Sequence, residues 1–132
     1  FTFPFVRNPF DWQVSLYQFL REKGSHPQHS LMLSMSFKEY IKWRCAEEPE
    51  HQTFFILDDK DQNLVDFIGK FESLENDLKK VCELNGLKMK QLEHLGPSNR
   101  KDYREYYDSE SQKLLVKTFK KDFEFLDYST DL

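Results

Sequence analysis

Four glycines and five prolines in 132 residues are too few for a collagen-like or low-complexity chain. Cysteine is equally sparse: Cys45 and Cys82 are the only two, and each is isolated in a segment that reads as helix. A disulfide scaffold or zinc cluster needs more cysteines at short fixed spacings, so both read as free core thiols. No apolar run approaches the roughly 18 residues of a spanning helix, and the first ten residues, FTFPFVRNPF, lack the basic-then-apolar layout of a signal peptide. Positive charge is also short. Nineteen Lys and Arg stand against 23 Asp and Glu, a net charge of −4, which removes the field that draws a protein to a nucleic-acid backbone. What remains is 39% hydrophobic and 16% aromatic, enough apolar material for one buried core, and a length that suits one domain rather than two.

Phe1 to Val6 runs apolar and stops at a polar turn, as the end of an interior strand of a parallel sheet would. Asn8 can cap a helix with Pro9 at its first position, and Trp12, Leu16, Phe19 and Leu20 follow at helical spacing until Gly24. The polar stretch Ser25 to Ser34 reads as loop. Ser36 and Glu39 have capping-box spacing, with Phe37, Tyr40, Ile41 and Cys45 as the apolar stripe of a helix over about 37–47. Thr53–Leu57 and Leu64–Ile68 flank the turn-forming DDKDQN and predict a hairpin or two nearby strands. Ser73 then caps a helix carrying Leu74, Leu78, Val81 and Cys82, which Asn85-Gly86 stops in the left-handed conformation. After a Gly96-Pro97 loop, Ser109 and Gln112 form a second capping-box pattern ahead of Leu115, Phe119 and Phe123, predicting one last helix that ends near Asp127.

Chemistry concentrates at Arg7-Asn8-Pro9 and Ser15. Seven residues after a cap is about two turns, so Ser15 returns to nearly the azimuth of Asn8. A strand-end arginine offers a planar fork of charge-assisted donors, the helix N-terminus adds backbone amides and a positive dipole end, and serine adds a hydroxyl. Together they suit one phosphate; the same spacing also suits Arg7 paired with Asp11 and Ser15 as a small packed residue. Other candidates are less specific. His26 and His29 have no third ligand at metal spacing and read as loop histidines. Asp58, Asp59, Asp61 and Asn63 lack the glycine and final glutamate of a calcium loop and read as a turn. Glu72 reads as a capping or salt-bridging residue. Ser98, Arg100, Lys101 and Arg104 form a basic loop.

FVRNPFDWQVSLY resembles the 3′-phosphate-binding segment of the carbohydrate-type sulfotransferases that use 3′-phosphoadenosine 5′-phosphosulfate. Arg7 and Ser15 fall on its two functional positions. The likeness continues through LVDFIGKFESLENDL and through HLGPSNRKDYREYYDSE to KKDFEFLDY, three blocks in order over most of the chain. Trp12 stands where the family usually has a basic residue and Gly96 where the late block often has Asn. The resemblance implies an α/β, P-loop-like sulfotransferase fold, with a mostly parallel sheet flanked by helices. It implies transfer of a sulfuryl group to a hydroxyl, on a carbohydrate, with adenosine 3′,5′-bisphosphate as product. It also implies that Ser98, Arg100 and Lys101 close over the nucleotide, where their residue types suit a plain solvated loop equally well. The family's phosphosulfate loop and catalytic base have no counterpart here, so residues 1–132 are expected to form the C-terminal portion of one sulfotransferase domain, inactive in isolation. The family occurs in the bacterial cytoplasm and in the Golgi lumen, and the cytoplasm is preferred. The rival readings are an inactive nucleotide-binding module of the same fold and a protein-interaction domain that uses its thirteen Phe and six Tyr as core and interface.

Overall fold

The computed structural model describes residues 1–88 and 101–132. The chain divides into two compact units: one built from Phe1–Arg7 and Gln52–Arg100, the other from Asn8–His51 and Lys101–Leu132. The architecture is helix-rich α/β with a small parallel sheet. No helix among the described residues is long and apolar enough to cross a membrane.

In the first unit, β1 (Phe5–Val6) pairs in parallel with β2 (Gly69–Lys70), Phe5 opposite Gly69 and Val6 opposite Lys70. The strand expected from Phe1 is therefore two residues long. Pro4 has no N–H to give a ladder, and Phe1 and Phe3 are exposed. The approach still reaches back to Thr2, whose carbonyl accepts from Asp66 N–H and Phe67 N–H, while Pro4 O accepts from Gly69 N–H. Glycine is required at 69 because a Cβ there would fall inside the Phe5 ring.

The expected strand at Thr53–Leu57 is instead a 3₁₀ turn, Gln52–Phe55. Thr53 is buried, and its carbonyl takes the N–H groups of both Ile56 and Leu57, so local bonds override β propensity. Leu64–Ile68 forms no strand either; the hairpin shrinks to a single antiparallel bridge, Leu57 to Asn63. The acidic turn between them is as expected: Asp58 Oδ1 accepts from Lys60 N–H at 2.8 Å and Gln62 N–H at 2.9 Å, an Asx turn. After β2 comes α4 (Leu74–Leu84), which packs on it. Ser73 occupies the N-cap position without capping through its side chain. Asp77 takes over, accepting Lys70 N–H at 2.7 Å and the Ser73 hydroxyl at 2.8 Å. The helix stops as expected, with Gly86 at φ 67° and Leu87 N–H on Cys82 O.

The second unit holds the main core. In α1 (Pro9–Glu22) Asn8 Oδ1 accepts from Phe10 N–H at 3.0 Å, with Pro9 in the first turn. Its inward face is Phe10, Gln13, Val14, Tyr17 and Leu20. Of the expected stripe only Leu20 is buried: Phe19 is 48% exposed and Trp12 and Leu16 are half-buried. The stretch expected as loop contains a short helix, α2 (His29–Ser34), held by its fully buried Met32. Arg21 Nη1 donates to Met32 O and Tyr17 OH to Met35 O. In α3 (Phe37–Glu47) the Ser36–Glu39 capping box closes in both directions, and Phe37, Tyr40, Ile41 and Arg44 face inward. The last helix begins one residue earlier than expected and is broken. Asp108, not Ser109, caps α5 (Ser109–Thr118), with Ser111 completing the box. The chain then kinks at Phe119 before α6 (Lys120–Phe125). That kink lets Leu115, Phe119 and Phe123 share one cluster with Phe10, Val14, Tyr40 and Ile41. Cys45 and Cys82 are both free, as expected, but half-buried rather than core thiols.

Candidate functional site

Arg7 directly follows β1, which ends at Val6. The ladder stops at Val6, and the next N–H and C=O are met by the side chain of Gln52. Oε1 accepts from Arg7 N–H at 2.9 Å, and Nε2 donates to Arg7 O at 2.7 Å. The guanidinium lies over the Phe71 ring, 4.1 Å from its centroid, in the turn directly after β2. Stacking uses the face of the guanidinium and fixes the plane of its N–H fork. The same turn is tied down by Asp77, whose carboxyl Lys70 N–H holds below the usual carboxylate range. Exposed Glu72 belongs to this turn.

Asn8 opens the second unit and α1. Besides capping Phe10, its amide Nδ2 donates to Tyr103 OH at 3.4 Å. Ser15 is half-buried on α1, two turns along. The segment 103–107 runs against this helix: Tyr107 OH donates to Phe10 O at 2.7 Å and Gln18 Nε2 to Tyr106 OH at 3.0 Å. Gln18 is three residues after Ser15, hence on the same face. Lys101 is exposed, its ammonium 5.5 Å from the Tyr106 ring, so the early and late blocks meet along α1. Arg104 instead pairs with Asp102 at 3.2 Å and lies over Tyr103. Ser98 and Arg100 lie outside the described residues.

The family model described as "Sulfotransferase family" matches residues 1–129. The chain belongs to the sulfotransferase family. Members generally use 3′-phosphoadenosine 5′-phosphosulfate as sulfuryl donor, so a nucleotide donor and an acceptor are the substrates the family implies. No curated protein and no solved structure gives a significant match to the chain.

Within this sulfotransferase domain the histidines at 26 and 29 serve the backbone. His26 Nδ1 accepts from Gln28 N–H at 3.1 Å, and His29 Nδ1 stands 3.0 Å from Leu20 O, where it is the donor. Neither Gln52 nor the aromatic supports carry a sequence signal. Phe71 belongs to a block that drew notice, GKFESL, yet nothing in its spacing pairs it with Arg7. The partner of Gln52 is a backbone group 45 residues away, which no motif records.

Proposed function

We propose that this chain binds the 3′-phosphate of 3′-phosphoadenosine 5′-phosphosulfate through Arg7 and Ser15, in a domain that sulfates a hydroxyl, on a carbohydrate. The observation that carries the reading is the strand-end placement of Arg7, one residue before the Asn8-capped N-terminus of α1, within a chain of this family. A dianionic phosphate is matched by a planar cationic fork and by a hydroxyl, with the positive end of the α1 dipole adding to the attraction. By the family likeness, Lys101 adds a positive charge and Ser98 and Arg100 add further nucleotide contacts.

In the reaction the acceptor oxygen attacks sulfur in line, the bond from sulfur to the bridging oxygen of the 5′-phosphate breaks, and a base takes the acceptor proton. Adenosine 3′,5′-bisphosphate leaves. The role of Arg7 and Ser15 is to bind and orient the donor, so that the binding energy of a remote group positions the reacting sulfur.

Calorimetric titration with adenosine 3′,5′-bisphosphate and adenosine 5′-monophosphate tests the reading. The bisphosphate should bind at least about tenfold more tightly, the worth of a charge-assisted contact. Equal affinities would refute a 3′-phosphate site.

A further inference from the structure

A guanidinium selects a phosphate only if its backbone is held, and β1 ends one residue before Arg7. The two-residue ladder pairs Phe5 and Val6 and does not include Arg7. Gln52 supplies what a neighbouring strand would. Its carboxamide takes Arg7 N–H at 2.9 Å and gives to Arg7 O at 2.7 Å, the double exchange that a hydrogen-bonded pair makes in an antiparallel ladder. A side-chain amide carries a donor and an acceptor on adjacent atoms, spaced as in a backbone peptide group, so it can do both at one residue. It is itself well anchored, because it opens the 3₁₀ turn whose Thr53 is buried and bonded to Ile56 and Leu57.

We infer that Gln52 is a positioning residue for nucleotide recognition: by clamping the Arg7 backbone as a surrogate strand, it aims the guanidinium and thereby sets the preference for a 3′-phosphate. This rests on the proposal that Arg7 holds that phosphate. Phe71 fixes the plane of the guanidinium; Gln52 fixes the point from which the side chain starts. Gln52 touches no nucleotide in this scheme. Its effect passes wholly through Arg7.

That dependence is testable by a double-mutant cycle. The affinities of adenosine 3′,5′-bisphosphate and adenosine 5′-monophosphate are measured by calorimetry for the wild type, Gln52→Ala, Arg7→Ala and the double variant. Gln52→Ala should weaken the bisphosphate about tenfold, the equivalent of one or two net hydrogen bonds, and leave the monophosphate within about twofold. In the Arg7→Ala background the same change should have no effect on the bisphosphate, because no guanidinium remains to be aimed. Gln52→Met keeps the length of the side chain and loses both bonds without adding charge, so it should match Gln52→Ala. It also serves if the alanine variant does not fold.

Equal weakening of both nucleotides by Gln52→Ala, or an undiminished effect in the Arg7→Ala background, would make Gln52 a general fold residue and overturn the inference. Failure of the underlying site looks different. There Arg7→Ala alone would leave bisphosphate affinity unchanged, which removes the phosphate reading and this inference together.

Discussion

A fully buried polar contact joins α1 to α3. Tyr40 OH donates to Gln13 Oε1 at 2.7 Å, with Tyr40 fully buried and Gln13 1% exposed. Burial pushes the Tyr40 phenol well above its ordinary range, so it remains a donor throughout the working pH range. Gln13 Nε2 is buried with no hydrogen-bond partner among the described residues. Tyr40→Phe keeps the ring in contact with Tyr17, Phe37 and Trp43 and removes one hydroxyl. It thereby strands Gln13 Oε1 as well, a loss of about 1–3 kcal/mol. Replacing both partners by apolar groups of similar shape removes every unsatisfied atom at the site. Gln13→Leu combined with Tyr40→Phe should therefore return to within about 0.5 kcal/mol of the wild type or exceed it. Urea unfolding of the four proteins with a common m-value gives the cycle. If the double variant is as unstable as the sum of the singles, or if Tyr40→Phe costs less than about 0.3 kcal/mol, the contact between the helices is not what the geometry says.

Three more outcomes follow from particular contacts. Gly69→Ala puts a methyl into the Phe5 ring and should cost about 1–3 kcal/mol by overpacking; in a Phe5→Ala background the extra cost should vanish, as denaturant titration would reveal. Asp108 is held below the usual carboxylate range, first by Ser111 N–H and then by the Lys38 ammonium, and Lys38 likewise lowers Glu110. A carboxyl with a depressed folded-state pKa stabilises above its unfolded value of about 4 and loses that contribution as pH falls further. Stability should hence decline below about pH 4, and Asp108→Ala should flatten that acid limb, as unfolding curves at several pH values will record. Arg21→Ala should loosen α2, because Arg21 bonds the carbonyl of buried Met32; hydrogen exchange at residues 29–35 should quicken there before it does in α3.

Much of the local architecture was legible because caps are local. Asn8 with Pro9, and Ser36 with Glu39, name their helices within four residues, and the structure builds both. The inward face of α1 was not, because Gln13 is buried by a partner 27 residues away, and a polar residue on a core face reads as solvent-facing. Asp108 displaced Ser109 as cap since either can accept a backbone N–H, and only Lys38 and Ser111 favour the aspartate. The β-rich run at Thr53 lost to a turn closed by its own carbonyl. At the candidate site Arg7 and Ser15 could be picked out from spacing and resemblance, whereas Gln52 and Phe71 could not, since their contacts with Arg7 depend on how distant segments return to β1.

Arg7 and Ser15 carry the proposed phosphate site, and titration of their alanine variants tests it most directly. Arg7→Ala removes a charged partner from a dianion and should weaken adenosine 3′,5′-bisphosphate by about 1.5–3 kcal/mol, or roughly 10- to 150-fold. Ser15→Ala removes a neutral donor and should cost about 1–2 kcal/mol. Adenosine 5′-monophosphate, lacking the 3′-phosphate, should respond to neither. Undiminished bisphosphate affinity in both variants would contradict the assignment of this phosphate site.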